Sequence, residues 1–275
     1  MDRKGTHTCC EISYTNVVIQ RLTPSVLPLL RSVEVIQDRF GVRVERALLD
    51  GEPVLVKTLT ADFPEMRARF HREGEIAARL DHPNIVPLVA HAETQLAFRF
   101  IEGGTLRAEL EKRVFDVREG IALARGILAA IGHAHGRGVT HLDLKPENIL
   151  LENGRVRVTD FGLSHDAGLP RITARGDRLG TPHYMAPEQF KGQRGDPRSD
   201  LYSVGVILFE CLTGTPPFYD PFRWLAGLPT EREALPPYVA LHELLNAALS
   251  RDPDARPSSA LAFLIALEKA EAALP

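Results

Sequence analysis

Cysteine is scarce in this 275-residue chain, which has only three. Cys9 and Cys10 are adjacent and Cys211 lies in an apolar run, so they supply neither a disulfide framework nor a zinc-ligand spacing and read as reduced thiols. Long apolar runs are missing as well. The longest, SVGVILFECL at 203–212, is broken by Glu210 and falls short of the roughly 18 residues that a membrane span needs. The opening residues, MDRKGTHTCCEIS, lack the apolar centre of a secretory signal. There is no excess of positive charge either. With 33 Lys and Arg against 36 Asp and Glu, the net charge of −3 gives no global basic field for nucleic acid. These absences predict a soluble, cytoplasmic protein with no membrane span and no nucleic-acid partner. A hydrophobic share of 44% and a charged share of 25% are ordinary for a globular chain, long enough for one large domain or two lobes.

The two halves differ in pattern. Residues 12–101 carry short β-rich runs: EISYTNVVI, VRVERALL, PVLVKTL, NIVPLVAHA and QLAFRFI, with turn signals such as Asp50-Gly51 between them. One helical stretch, 63–80, interrupts them. It sets Met66, Phe70, Ile76, Ala77 and Leu80 near helical spacing before Pro83. After residue 103 the chain reads as helical, with candidates at TLRAELEKRV, VREGIALARGILAAIGHAHGRG, SDLYSVGVILFECLTG, YVALHELLNAALSRD and SSALAFLIALEKAEAAL. Gly138 and Gly214 stand where C-caps are expected. The stretch 149–162 reads as a hairpin turning on Asn153-Gly154. IEGGT, 101–105, is the natural hinge. Residues 1–32 form an extension in which SVLPLLRSV reads as a short helix or as irregular, because of Pro28. The expected division is 1–32 extension, possible packing partner of the small lobe, 33–101 small lobe and 102–275 large lobe.

Chemistry concentrates in HLDLKPENIL, 141–150. Asp143 and Asn148, together with Asp160, make an oxygen-donor set of two carboxylates and one amide carbonyl, which suits a hard divalent ion shared with water and phosphate oxygens. The hairpin brings Asp160 back toward Asn148. Lys145, two residues from Asp143, extends to the same side and could neutralise charge on a phosphoryl group in transfer. Taken alone, DLKPEN also reads as a solvated polar turn built on Pro146.

H-L-D-L-K-P-E-N followed by D-F-G at 160–162 resembles the eukaryotic-type (Hanks-type) serine/threonine protein kinase family. VLVK at 54–57, Glu73 in HREGEIAARL, GTPHYMAPE at 180–188, DLYSVG at 200–205 and Arg256 in RDPDARP extend the resemblance over roughly residues 33–270. It implies an α+β bilobal protein-kinase fold, with a small antiparallel-sheet N-lobe carrying one helix and a larger, mainly helical C-lobe. It implies ATP and Mg²⁺ as cofactors and protein substrates as partners. Asp143 would be the catalytic base, Lys145 would contact the γ-phosphate, and Asn148 and Asp160 would hold Mg²⁺. Lys57 would grip the α- and β-phosphates and be held by Glu73. Arg256 would tie down the A-P-E glutamate. Val44 and Leu55 would lie above the adenine and Leu150 below it. Phe98 falls at the gatekeeper position, with Arg99, Phe100 and Ile101 as hinge. Thr181 takes the position that marks Ser/Thr-directed members.

Three departures qualify this picture. In VEVIQDRFGVRVERA, 33–47, only Gly41 remains of a glycine-rich phosphate loop, with Gln37, Asp38 and Arg39 where glycines would stand. A shorter or differently shaped loop and weaker ATP binding are expected. Asp38 would set a negative charge near the triphosphate unless it points outward, and Arg39 or Arg43 is the expected substitute for the missing backbone contacts. Leu55 stands where the family has alanine, so either the strand shifts or the adenine slot is narrowed. Leu142 replaces the arginine of H-R-D, so a phosphorylated activation loop loses its usual anchor. Thr173 is the candidate phosphosite, with Ser164 as another hydroxyl of the same loop and Arg171, Arg175 and Arg178 near in sequence, for autophosphorylation in trans on which activity is expected not to depend. Two other classes compete with an active kinase. A pseudokinase scaffold draws on the damaged loop, and a small-molecule kinase is disfavoured by Thr181 and the A-P-E segment.

Overall fold

The β-branched runs of the first half pair as their alternation predicts, in a computed structural model that describes residue 27, residues 29–39, 41–61, 63–161, 165–166 and 182–275. The strands β1 (Leu30–Arg39), β2 (Val42–Leu49) and β3 (Glu52–Leu59) form an antiparallel meander. Helix α1 (Pro64–Ala77) follows, then β4 (Leu88–His91) and β5 (Gln95–Arg99), giving a sheet of order β1-β2-β3-β5-β4. SVLPLLRSV is not a helix where it is described. Leu30 begins β1, three residues before the expected lobe boundary, and the expected strand at EISYTNVVI lies outside the described residues.

Alternation gives the sheet two apolar faces. Val54 and Val56 pack with Ala47, Ala92, Ala97 and Leu27 on one side. Leu55 and Leu59 share the other with Phe98, Ile101, Phe70 and Leu150. That second face carries Lys57, so the cleft side of the sheet is fixed by a period of two. NIVPLVAHA yields a strand only from Leu88. Its first residues instead bond to the second lobe, through Val86 N–H to the Val158 carbonyl (2.9 Å) and Val158 N–H to the Asn84 carbonyl (2.8 Å).

The second half is helical, as expected. Helix α2 (Leu106–Leu110) starts at Thr105, whose hydroxyl accepts the Ala108 N–H at 3.1 Å. Helix α3 (Val117–His135) begins with a reciprocal capping box between Asp116 and Glu119, a device worth about 1 kcal/mol. It is capped at Gly136. Gly138, the expected cap, takes φ +73° in the turn that follows. The short β6 (Val139–Thr140) leads into the catalytic-loop segment, with a 3₁₀ turn at Pro146–Asn148. The hairpin β7 (Ile149–Glu152) and β8 (Arg155–Val158) turns on Asn153 and Gly154, both at positive φ as a primed turn requires. The two-residue β9 (His165–Asp166) pairs with β6. Then come α4 (Pro187–Phe190), α5 (Arg198–Thr213), α6 (Pro221–Leu225), α7 (His242–Ala248) and α8 (Ala260–Ala272).

Helix α5 is buried from Ser199 to Leu212 and ends on Gly214 at φ +84°. Leu201, Tyr202, Val206, Ile207, Leu208 and Phe209 are all at most 1% exposed, each contributing roughly 1.5–3 kcal/mol by burial. This helix is the post to which the loops of the site are tied. Among the described residues no helix is long and apolar enough to cross a membrane. The architecture is the expected bilobal α+β one.

Candidate active site

The site is assembled from the edges of both lobes. Lys57, on the cleft face of β3, reaches Glu73 of α1 at 2.5 Å and Asp160 at 3.2 Å. Burial works against the Lys57 ammonium, but Asp160 and Glu73 outweigh it and hold its pKa above the ordinary lysine value. The cation is therefore permanent at any working pH. The three groups lie far apart in sequence, and the α1 and β3 positions expected to pair do so.

The catalytic-loop residues form a second cluster. Lys145 Nζ donates to Asp143 Oδ2 at 2.8 Å. The Asn148 amide donates to the Asp143 carbonyl (2.8 Å) and to Asp143 Oδ2 (3.2 Å). With its nitrogen committed to Asp143, Asn148 keeps its side-chain carbonyl oxygen as the donor that a hard cation would take. Asp160, across from it, is the second hard oxygen donor. The residues present thus fit Mg²⁺ shared with phosphate oxygens.

Burial holds this loop in place. Asp200 of α5, fully buried, accepts the N–H groups of His141 and Leu142, both at 2.8 Å, and the His135 ring N–H at 2.8 Å. His141 is buried too, and its Nε2 donates to the Thr159 carbonyl at 3.0 Å. Its ring lies 4.6 Å from that of Phe161. Leu142 and Asp160 both sit at positive φ, +66° and +64°. Left-handed backbone at a non-glycine residue costs roughly 1–3 kcal/mol and persists only where neighbours impose it. Here Asp200 holds the Leu142 N–H, and Gln189 of α4 donates to the Leu142 carbonyl at 2.9 Å.

The nucleotide-facing candidates converge. Leu55, Phe98, Ile101 and Leu150 belong to one apolar cluster. Val44 is paired with Lys57 across β2 and β3. The hinge backbone is fixed by Arg99 N–H to the Pro87 carbonyl (3.0 Å) and Phe100 N–H to the Pro53 carbonyl (3.2 Å). Arg99 also bonds Glu152 of the β7–β8 hairpin at 2.9 Å. Arg46, two residues beyond Val44 on the same face, stands over the Phe100 ring at 4.7 Å, a contact that no sequence signal announced.

The phosphate loop is reduced to a hairpin tip. Arg39 pairs with Val42, so β1 and β2 are joined by residues 40 and 41 alone. Gly41 has φ +73°, and a Cβ there would meet Ala61 Cβ and Met66 Sδ at 2.5 Å. Its carbonyl accepts the Thr60 N–H at 2.8 Å. The tip is thus folded onto the start of α1. Asp38 pairs with Arg43 at 2.8 Å on the face away from Lys57, while the register puts Arg39 on the same face as Val42 and Lys57. Thr181, Thr173, Ser164 and the arginines 171, 175 and 178 lie outside the described residues.

On the substrate side, Arg256 grips Glu188 of α4 with two bonds, 2.7 and 2.8 Å, and Ser199 adds a third at 2.7 Å. A further cluster was not anticipated. Arg107 of α2 bonds Glu147 of the catalytic loop (3.0 Å), Glu210 of α5 (2.9 Å) and the Tyr184 hydroxyl. Its signal was present but silent. Glu147 stands in DLKPEN, and Glu210 breaks the longest apolar run.

The sequence profile of the Protein kinase domain matches residues 41–264. Among curated relatives, the serine/threonine-protein kinase pkn3 of Myxococcus xanthus is 38% identical over 242 residues, 78% of this chain and 44% of that protein. The serine/threonine-protein kinase PrkC of Bacillus subtilis is 37% identical over 183 residues, 63% and 28% of the two chains. The serine/threonine-protein kinase PknD of Mycobacterium tuberculosis is 40% identical over 170 residues, 60% and 26%. The chain spans less than half the length of these relatives.

Proposed function

This chain belongs to the protein kinase family, and we propose that it transfers the γ-phosphoryl group of ATP, with Mg²⁺, to serine or threonine hydroxyls of protein substrates. The observation that carries this reading is the pair of charge clusters facing one cleft, Lys57–Glu73–Asp160 and Lys145–Asp143–Asn148. Phosphoryl transfer needs little covalent help from a protein, and mostly positioned charge. Asp143 orients the acceptor hydroxyl and takes its proton at Oδ2, the atom that Lys145 and Asn148 now touch. Lys145 is close enough to follow charge onto the moving phosphoryl group. Lys57 meets the α- and β-phosphates, held by Glu73. Asn148 and Asp160 hold Mg²⁺, which neutralises phosphate charge when bound. Thr181 keeps only the role that the family resemblance implies for it, marking a Ser/Thr acceptor, and the hairpin tip at Gly41 stands at the end of the strands that carry Val44 and Arg39 on the face of Lys57. Val44, Leu55 and Leu150 enclose the adenine. The names of the relatives agree with a Ser/Thr preference.

A non-catalytic scaffold is the competing reading. It draws on one feature, the hairpin tip with a single glycine at its turn. Incubation with γ-labelled ATP and Mg²⁺, scored on the chain itself and on a generic basic protein, separates the two. Asp143→Asn should lower label transfer by about 10³-fold while keeping the nucleotide-induced rise in melting temperature. A melting shift without transfer in the wild type would favour the scaffold.

A further inference from the structure

The hinge is held against the β7–β8 hairpin in two different ways. At its far end the backbone does it. The Leu151 N–H donates to the Gly104 carbonyl at 3.0 Å, and Gly103 lies so close that a Cβ there would meet the Leu151 carbonyl oxygen at 2.1 Å. At its near end the backbone N–H groups of Arg99 and Phe100 go instead to the carbonyls of Pro87 and Pro53, in the small lobe. The tie to the hairpin there is made by side chains. Arg99 Nη2 donates to Glu152 Oε2 at 2.9 Å, and Arg157 brings the same oxygen its Nε at 2.9 Å and its Nη2 at 2.7 Å. The remaining nitrogen of Arg157, Nη1, donates to the Pro83 carbonyl, in the loop between α1 and β4. One carboxylate thus brackets the hairpin to two separate points of the small lobe.

Strand pleating sets this bracket beside the nucleotide. Glu152 lies two residues beyond Leu150 on β7, and Arg157 is the cross-strand partner of Leu150, so the three share one face. Leu150, with Leu55, lines the proposed adenine slot and shares one apolar cluster with Phe98 and Ile101. The roof of the slot repeats the arrangement with a weaker contact. Arg46 is the cross-strand partner of Leu55 and stands over the Phe100 ring at 4.7 Å. Each apolar residue against the base therefore has a charged neighbour that grips the hinge. A fully solvated ion pair would contribute little. Here the Glu152 and Arg157 side chains are only 18% and 17% exposed, and one carboxylate oxygen takes three charged N–H groups. The bond from Arg99 holds the Glu152 carboxyl below its ordinary value, against burial and with help from Arg157.

We propose that Glu152 is a positioning residue for the nucleotide. By holding Arg99 against the hairpin it sets the gap between hinge and floor in which the adenine lies, and it leaves the triphosphate to Lys57 and the cation donors. This rests on the protein-kinase reading and deepens it, since the bracket serves the base and not the phosphates.

The test takes the two ends of the nucleotide separately. Wild type, Glu152→Ala, Arg99→Ala and the double variant are titrated calorimetrically with adenosine and with magnesium tripolyphosphate. The KM for ATP and kcat are read from label transfer to a generic basic protein. Glu152→Ala should weaken adenosine by about fivefold and raise the KM for ATP by a similar factor, with kcat and tripolyphosphate affinity within about twofold of wild type. Arg99→Ala should weaken adenosine as much, and the double variant no more than either single one. An unchanged adenosine affinity in a folded Glu152→Ala overturns the proposal. So do equal losses for adenosine and tripolyphosphate, which would mean a general loosening, and additive losses in the double variant. Should Glu152→Ala not fold, Arg99→Ala, which leaves Glu152 paired with Arg157, takes its place, and an unchanged adenosine affinity there overturns the proposal equally. If no form transfers label, the kinase reading fails while the adenosine titration still decides the bracket. A wild type that binds no adenosine overturns it.

Discussion

The two loops that face the cleft are held by opposite means. The catalytic loop at 141–148 hangs from a fully buried carboxylate, Asp200, and from Gln189, and tolerates a left-handed Leu142 as a result. In the β1–β2 hairpin, β1 is mostly exposed, its register with β2 has two irregularities, and an exposed Asp38–Arg43 ion pair spans it. Exposed ion pairs contribute roughly 0–1 kcal/mol, whereas a buried acceptor serving several donors is worth several times more. Charge handling has been built into the core, and nucleotide covering has been left to a surface strand pair. A chain can lose the glycines of the second without disturbing the first.

The largest effect should come from cutting the buried side. Asp200→Ala strips partners from His141 N–H, Leu142 N–H and His135 together, and is expected to lower stability by about 4 kcal/mol, read from urea unfolding. A loss below about 1 kcal/mol would erase the contrast between the loops. Arg256→Ala comes next, leaving Glu188 buried with only the Ser199 hydroxyl and no counter-charge, for about 3 kcal/mol at pH 7. Its pH dependence has a definite sign. Burial alone would raise the Glu188 pKa, but bonds from Arg256 and Ser199 prevail and hold it below its ordinary 4.5. That stabilisation is present above about pH 4.5 and is lost as pH falls through the lower folded-state value. The gap between wild type and Arg256→Ala should therefore narrow on acidification, and a gap that widens refutes the assignment. The smallest effects belong to the hairpin. Arg39→Ala should raise the KM for ATP several-fold, while Arg43→Ala, facing the other way and paired with Asp38, should change it by less than about twofold. Equal effects would mean that the hairpin does not keep its two faces distinct over the nucleotide.

Local signals were the legible ones. Asn153-Gly154 announced its hairpin because only residues tolerant of positive φ suit that turn. Lys57 and Glu73 were found through motifs, each on an element whose periodicity was clear. β1 was not read as a strand, because Val33, Val35 and Ile36 do not alternate cleanly and its register slips twice. Most of all, the Arg107 cluster was invisible. Its partners are 40, 77 and 103 residues away, and no spacing rule joins a helix after the hinge to the middle of α5. Asp200 stands within DLYSVG, but its bonds to the catalytic loop, 58 and 59 residues away, emerge only from the fold.

Those bonds also set a clock for the backbone. The amide protons of His141 and Leu142 point at a carboxylate that water cannot reach until α5 leaves the core. They should exchange with solvent deuterium only through global unfolding, alongside the α5 amides, while amides of β1 exchange through local opening. The geometry around Asp143 then lasts as long as the fold itself, and on heating it disappears in the same transition.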